Sequence, residues 1–137
     1  MQLKANMNLG NLKSLLAFFL FFFIFPPLVL HSAPLEGVLA EIQILDKITA
    51  RVKTLEIKVN DSSFFETLNI EIYACYTNPP EKIPEDFVLL RIYDSLSEKD
   101  NQLVYQGWMI SSSPAATPLQ HPIYDLWLIK CKVDTDS

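Results

Sequence analysis

Beyond residue 40, apolar and polar residues alternate with a period of two, and β-branched and aromatic residues are abundant where they do; this pattern predicts strands. Glu41 to Leu45 is the first candidate, ending at Asp46-Lys47. Ile48 to Val59 (ITARVKTLEIKV) alternates as Ile48, Ala50, Val52 and then as Leu55, Ile57, Val59. The phase slips at Lys53-Thr54, so a bulge or two short strands is expected there. Asn60-Asp61-Ser62-Ser63 is turn chemistry, and Thr67 to Tyr76 alternates again, giving an expected hairpin. The proline-rich Asn78 to Pro84 segment cannot continue a central strand and reads as an exposed crossover. Phe87 to Tyr93 (FVLLRIY) is nearly continuously apolar, as expected of a strand covered on both faces. Ser95 to Gln102 is a polar loop, and Leu103 to Ile110 and Ile123 to Val133 are two further strands. Gly107 marks a bulge or a close backbone approach. Five or six short strands with little helical signal predict an all-β domain, a small antiparallel sandwich or a partly open barrel.

The first forty residues follow a different rule. Lys4 and Lys13 precede an uncharged run, Leu15 to Leu30, that breaks at Pro26-Pro27 and leads into small residues. This is the layout of a secretory signal, spanning residues 1–33 with a cleavage point that could lie as late as 40; the competing reading is an uncut membrane anchor. Residues 41–133 then form one β domain and 134–137 a polar tail. Removing the leader takes 11 basic and 16 acidic residues to 9 and 16, a net charge of −7. Such a chain is a poor partner for nucleic acid, which is bound by clustered Lys and Arg that release counterions. It meets a membrane only if the leader is retained.

The two cysteines, Cys75 and Cys131, are expected to pair in an oxidising compartment. The loop so closed, about 57 residues, is worth on the order of 4 kcal/mol in the chain-entropy model. Their separation is unlike the Cys-x-x-Cys of redox dithiols, and one His beyond the leader with two distant Cys is too small a set for a metal site. No metal and no cofactor are expected.

The stretch from Gly107 to Trp127 (GWMISSSPAATPLQHPIYDLW) is the most distinctive. Taken with Leu45 to Val52 (LDKITARV), Ala74-Cys75-Tyr76 followed by Pro79-Pro80-Glu81, and the closing Cys131, it resembles a bacterial exported family known as domain of unknown function 2155. The resemblance covers roughly Leu45 to Cys131. It implies an alphaproteobacterial envelope protein, hence a periplasmic location or, with the leader uncut, an inner-membrane anchor. It implies no activity.

Ser111, Ser112, Ser113, His121 and Asp125 include the residue types of a hydrolase triad, but no nucleophile elbow and few glycines accompany them. A His before Pro in such a loop is more often a turn residue whose ring bonds a carboxylate. Pro114, Pro118 and Pro122 stiffen a long connection flanked by large aromatics, which favours a binding surface. The candidate contact residues are Trp108, Met109, Ser113, His121, Tyr124, Asp125 and Trp127, and an envelope protein or glycan is the expected partner. The sequence therefore describes a non-catalytic binding or envelope-assembly module, with the Ser/His121/Asp125 hydrolase as its alternative.

Overall fold

The computed structural model describes residues 32–96 and 101–134. Residues 1–31 of the expected leader and the last residues of the tail lie outside this range. Eight strands follow one another: β1 (Leu35–Glu36), β2 (Leu39–Asp46), β3 (Arg51–Lys58), β4 (Asp61–Phe65), β5 (Leu68–Thr77), β6 (Asp86–Asp94), β7 (Gln102–Ile110) and β8 (Tyr124–Lys132), with one 3-10 turn at Pro114–Ala116. They form two antiparallel sheets that do not close into a barrel. The first runs β1-β5-β6-β7, with β4 sharing the β5 edge with β1; the second runs β3-β2-β8. The count exceeds the five or six strands read from the sequence because β1 and β4 are too short to carry an alternation of their own.

Alternation places Ile42 and Ile44 of β2, Ile70 and Ile72 of β5, and Leu90 and Ile92 of β6 in the core between the sheets. The β2-β3 hairpin is tight because the Asp46 carboxylate accepts the Ile48 and Thr49 N–H groups at 2.8 and 3.1 Å. Its register runs unbroken from Leu39↔Lys58 to Asp46↔Arg51, so the bulge expected at Lys53-Thr54 is absent. The phase slip has another cause. Ile57 and Leu55 face inward, and the same column continues as Lys53 and Arg51 at the open end, while Val52 on the other face is exposed. Lys53 Nζ rests 5.6 Å from the Phe65 ring centre, where a cation can face inward without being desolvated.

The expected hairpin also changes partner. Phe65 and Asp61 belong to β4, which pairs with β5 through the Glu66-Thr67 turn, whereas β3 lies in the other sheet. Glu66 takes a positive φ of 50° to make that turn, and Asn60 one of 64° at the crossing between sheets. In the polar run at 60–63 only Asn60 is turn, and the other three residues begin β4.

Two bulges aim the cysteines. The β5-β6 register skips Tyr73, which turns Cys75 onto the inner face with Ile72. The β2-β8 register skips Ile129, which turns Cys131 inward with Leu128. Simple alternation would have left Cys75 with Tyr73 and Cys131 with Trp127; each bulge reverses that. The Cys75–Cys131 disulfide, with Cα atoms 5.7 Å apart, consequently bridges the two sheets. Gly37 passes directly beside it as the chain crosses from β1 to β2, its N–H donating to the Cys75 carbonyl at 2.8 Å. A Cβ at this position would lie 3.0 Å from Cys131 Cβ and 3.2 Å from the Lys132 carbonyl oxygen. The register shift in β7 falls at Val104, not at Gly107.

Candidate functional site

The loop from Ser111 to Pro122 is fastened at both ends. At its start, Glu85 accepts Ser111 Oγ at 3.0 Å and the Ser112 N–H at 2.9 Å, and Ser112 Oγ bonds its second oxygen. These bonds, the Ser112 hydroxyl foremost, hold the Glu85 carboxyl below its ordinary pKa. Ser113 precedes the 3-10 turn and is exposed. Leu119 then drops into the core.

At the loop's end His121 is buried. Its Nε2 lies 3.2 Å from Asp94 Oδ2, and its Nδ1 accepts the N–H groups of Ile123 and Tyr124 at 3.3 and 3.2 Å. That pattern assigns the proton of the neutral ring to Nε2, donating to Asp94. The ring stacks on Tyr124 at 5.2 Å, and Tyr124 meets Phe65 edge-on at 5.6 Å. Burial alone would raise the Asp94 pKa, but the Leu96 N–H and His121 bonds outweigh it and hold the carboxyl below its usual value. Outside, Lys47 Nζ donates to the His121 carbonyl at 2.6 Å and pairs with Asp125 at 3.0 Å.

Most residues of the hydrolase reading are thus spoken for separately: the Ser111 and Ser112 hydroxyls by Glu85, His121 by Asp94 and Asp125 by Lys47, while Ser113 is exposed beside the 3-10 turn. No relay from serine through His121 to Asp125 is assembled by these bonds. Among the described residues no group of three or more His, Cys, Asp and Glu comes together as a metal site.

The remaining candidates divide between the core and two opposite surfaces. Met109 is 3% exposed and points inward, as do His121 and Tyr124. Trp127 is half-buried on the outer face of the three-stranded sheet, opposite Gln43. Trp108 is 43% exposed on the outer face of the five-stranded sheet, its ring 6.0 Å from that of Tyr76. The two tryptophans do not share a surface.

The Trp108 face is unusual for a sheet exposed to water. Val88, Leu90 and Ile92 take the inner side of β6, which puts Phe87, Leu89, Arg91 and Tyr93 on the outer side, the Arg91 guanidinium lying 5.0 Å from the Tyr73 ring centre. Leu89 is paired with Trp108 and Ala74, Phe87 with Tyr76 and Ile110, Tyr93 with Leu103. The apolar run of β6 predicted cover on both faces, yet among the described residues no layer packs on this side. Trp108, Leu103, Tyr73 and Phe64 remain exposed there. Sequence reasoning missed this face because it placed β6 in the middle of the core. It also missed Asp94, although the alternation Val88, Leu90, Ile92, Asp94 points a carboxylate inward and so asks for a buried partner.

Residues 40–131 match the family described as "Uncharacterized protein conserved in bacteria (DUF2155)". The chain belongs to this family. It is similar to "Uncharacterized protein RP359" of Rickettsia prowazekii, 30% identical over 87 residues that make up 64% of the chain and 56% of the relative. The chain therefore spans a little over half the length of that DUF2155 relative. No solved structure matches. Among the described residues of this DUF2155 chain, no helix is long and apolar enough to cross a membrane.

Proposed function

We propose that the protein is an exported, non-catalytic binding or envelope-assembly module that engages an envelope protein through the outer face of the five-stranded sheet around Trp108. The observation that carries this reading is a sheet face rich in aromatic and aliphatic side chains around an Arg91–Tyr73–Glu71 cluster, with Trp108 and Tyr76 side by side and nothing over them among the described residues. Large aromatics exposed together mark interaction sites, because they bury much area for little lost side-chain entropy. The Ser111–Pro122 loop, pinned by Glu85 and by His121, is a rigid margin to that face. The disulfide and the apolar leader support the periplasm as the place of action. A glycan would stack on the same rings and is the second partner class.

Complementation of a deletion strain tests this. Trp108→Ala is expected to melt close to the parent protein and to fail to restore the deletion phenotype. Full restoration by a folded Trp108→Ala protein overturns the reading.

A further inference from the structure

β7 is the terminal strand of the five-stranded sheet, and among the described residues no other strand pairs with its outer edge. Sheet edges are normally protected by charge, proline or brevity, since unpaired N–H and C=O groups recruit other strands. Here β3 carries Arg51, Lys53, Glu56 and Lys58, β8 carries Asp125, Lys130 and Lys132, and the far edge of the larger sheet is split between the short β1 and β4. β7 (QLVYQGWMI) has nine residues, none charged and none proline. Leu103, Gln106 and Trp108 on it are exposed.

The register says which backbone groups are open. Ser111 N–H bonds the Asp86 carbonyl, and the pairing Phe87↔Ile110 through Ile92↔Tyr105 continues from it without a shift. Residues of an antiparallel pair alternate between bonded and unbonded, so Met109 and Gly107 bond β6 while Ile110, Trp108 and Gln106 turn their N–H and C=O groups outward. Of these outward groups the Trp108 carbonyl already accepts the Tyr105 hydroxyl at 3.0 Å, so a pairing strand would share or displace that bond.

We infer that β7 pairs antiparallel with β7 of a second copy of this chain, about a two-fold axis near Gln106, joining two sheets into one that continues the aromatic face. A self-paired strand sets each of its residues against another from the same strand, and β7 offers no charge to repel its copy. This matters in a chain that carries 9 basic and 16 acidic residues beyond its leader and repels itself elsewhere. The nearest formal charge beside the axis, Arg91 on β6 opposite Gln106, would sit three strand spacings from the partner's Arg91. That is about 14 Å, beyond the screening length of about 8 Å at physiological ionic strength.

Sedimentation of the protein purified from its own cells tests this. The weight-average mass should rise toward twice the monomer between about 1 µM and 1 mM, the range for a small interface. The amides of Gln106, Trp108 and Ile110 should gain exchange protection with it. Gln106→Pro removes an outward donor that the parent sheet does not use and should hold the protein monomeric. Gln106→Lys and Gln106→Glu, which leave the backbone intact, should each weaken association, and an equimolar mixture should restore it. A monomer throughout that range, or association unaffected by all three substitutions, overturns the inference.

Discussion

His121 and Asp94 form a buried pair, Nε2 to Oδ2 3.2 Å, that locks the end of the long loop to the last residue of β6. Removing either partner strands the other away from water. Asp94→Asn is expected to lower unfolding free energy by about 1–3 kcal/mol and His121→Ala by somewhat more, through the lost stack on Tyr124. Urea titration followed by tryptophan fluorescence measures both; unchanged midpoints would place the pair outside the stability core.

Acid should loosen the same region. The folded pKa values of Asp94 and Glu85 both lie below their ordinary values of 3.8 and 4.5. A depressed carboxylate contributes stability above its unfolded pKa and loses that contribution as pH falls through its folded pKa. Unfolding midpoints measured from about pH 6 down to about pH 3 should fall below roughly pH 4.5, and the fall should be shallower in Asp94→Asn and in Glu85→Gln.

The Cys75–Cys131 bond should be structural. Cys75→Ser or Cys131→Ser is expected to cost about 2–5 kcal/mol. Thermal melts with and without reductant check this: reductant should lower the midpoint of the parent and leave both variants where they are.

Gly37→Ala should destabilise by about 1–3 kcal/mol, because the added methyl meets Cys131 Cβ and a backbone carbonyl, neither of which can swing aside. Calorimetric melting decides it, with Val38→Ala, an exposed neighbour, as the comparison.

Met109 and Trp108 are adjacent in sequence and opposite in role. Met109→Ala should cost about 2–4 kcal/mol for its core cavity, and Trp108→Ala less than about 1. Equal costs would mean that Trp108 is held by packing and is not an available contact.

The all-β class was legible because alternation runs through β2 and the first halves of β5 and β8, ahead of their bulges, and because Asp46-Lys47 and Pro79-Pro80 punctuate the chain. The disulfide was legible from the count of two cysteines and the compartment that the leader led one to expect. What escaped was set by long-range geometry. Nothing local in Tyr73 or Ile129 announces a bulge, yet those two residues decide that both cysteines face inward. β4 is five residues long and begins inside a run of turn formers, so its pairing with β5 could be read only from the assembled sheet. For the candidate contacts, strand alternation separates Trp108 from Met109, but which sheet lies above which face is a property of topology. The same lack put Trp108 and Trp127 in one imagined patch when the fold sets them on opposite surfaces.

β2 lies between β3, its immediate successor, and β8, which begins at Tyr124. The central strand of the smaller sheet therefore waits for the last strand of the chain, and Cys75 waits with it. Closing so long a loop is slow compared with forming a hairpin. A chain stalled or clipped before Tyr124 retains the β2-β3 ribbon alone on that side, leaves Ile42 and Ile44 open to water, and carries a lone thiol. Only when β8 docks is that side of Ile42 and Ile44 covered, and one covalent bond then joins Cys75 to Cys131 across the two sheets.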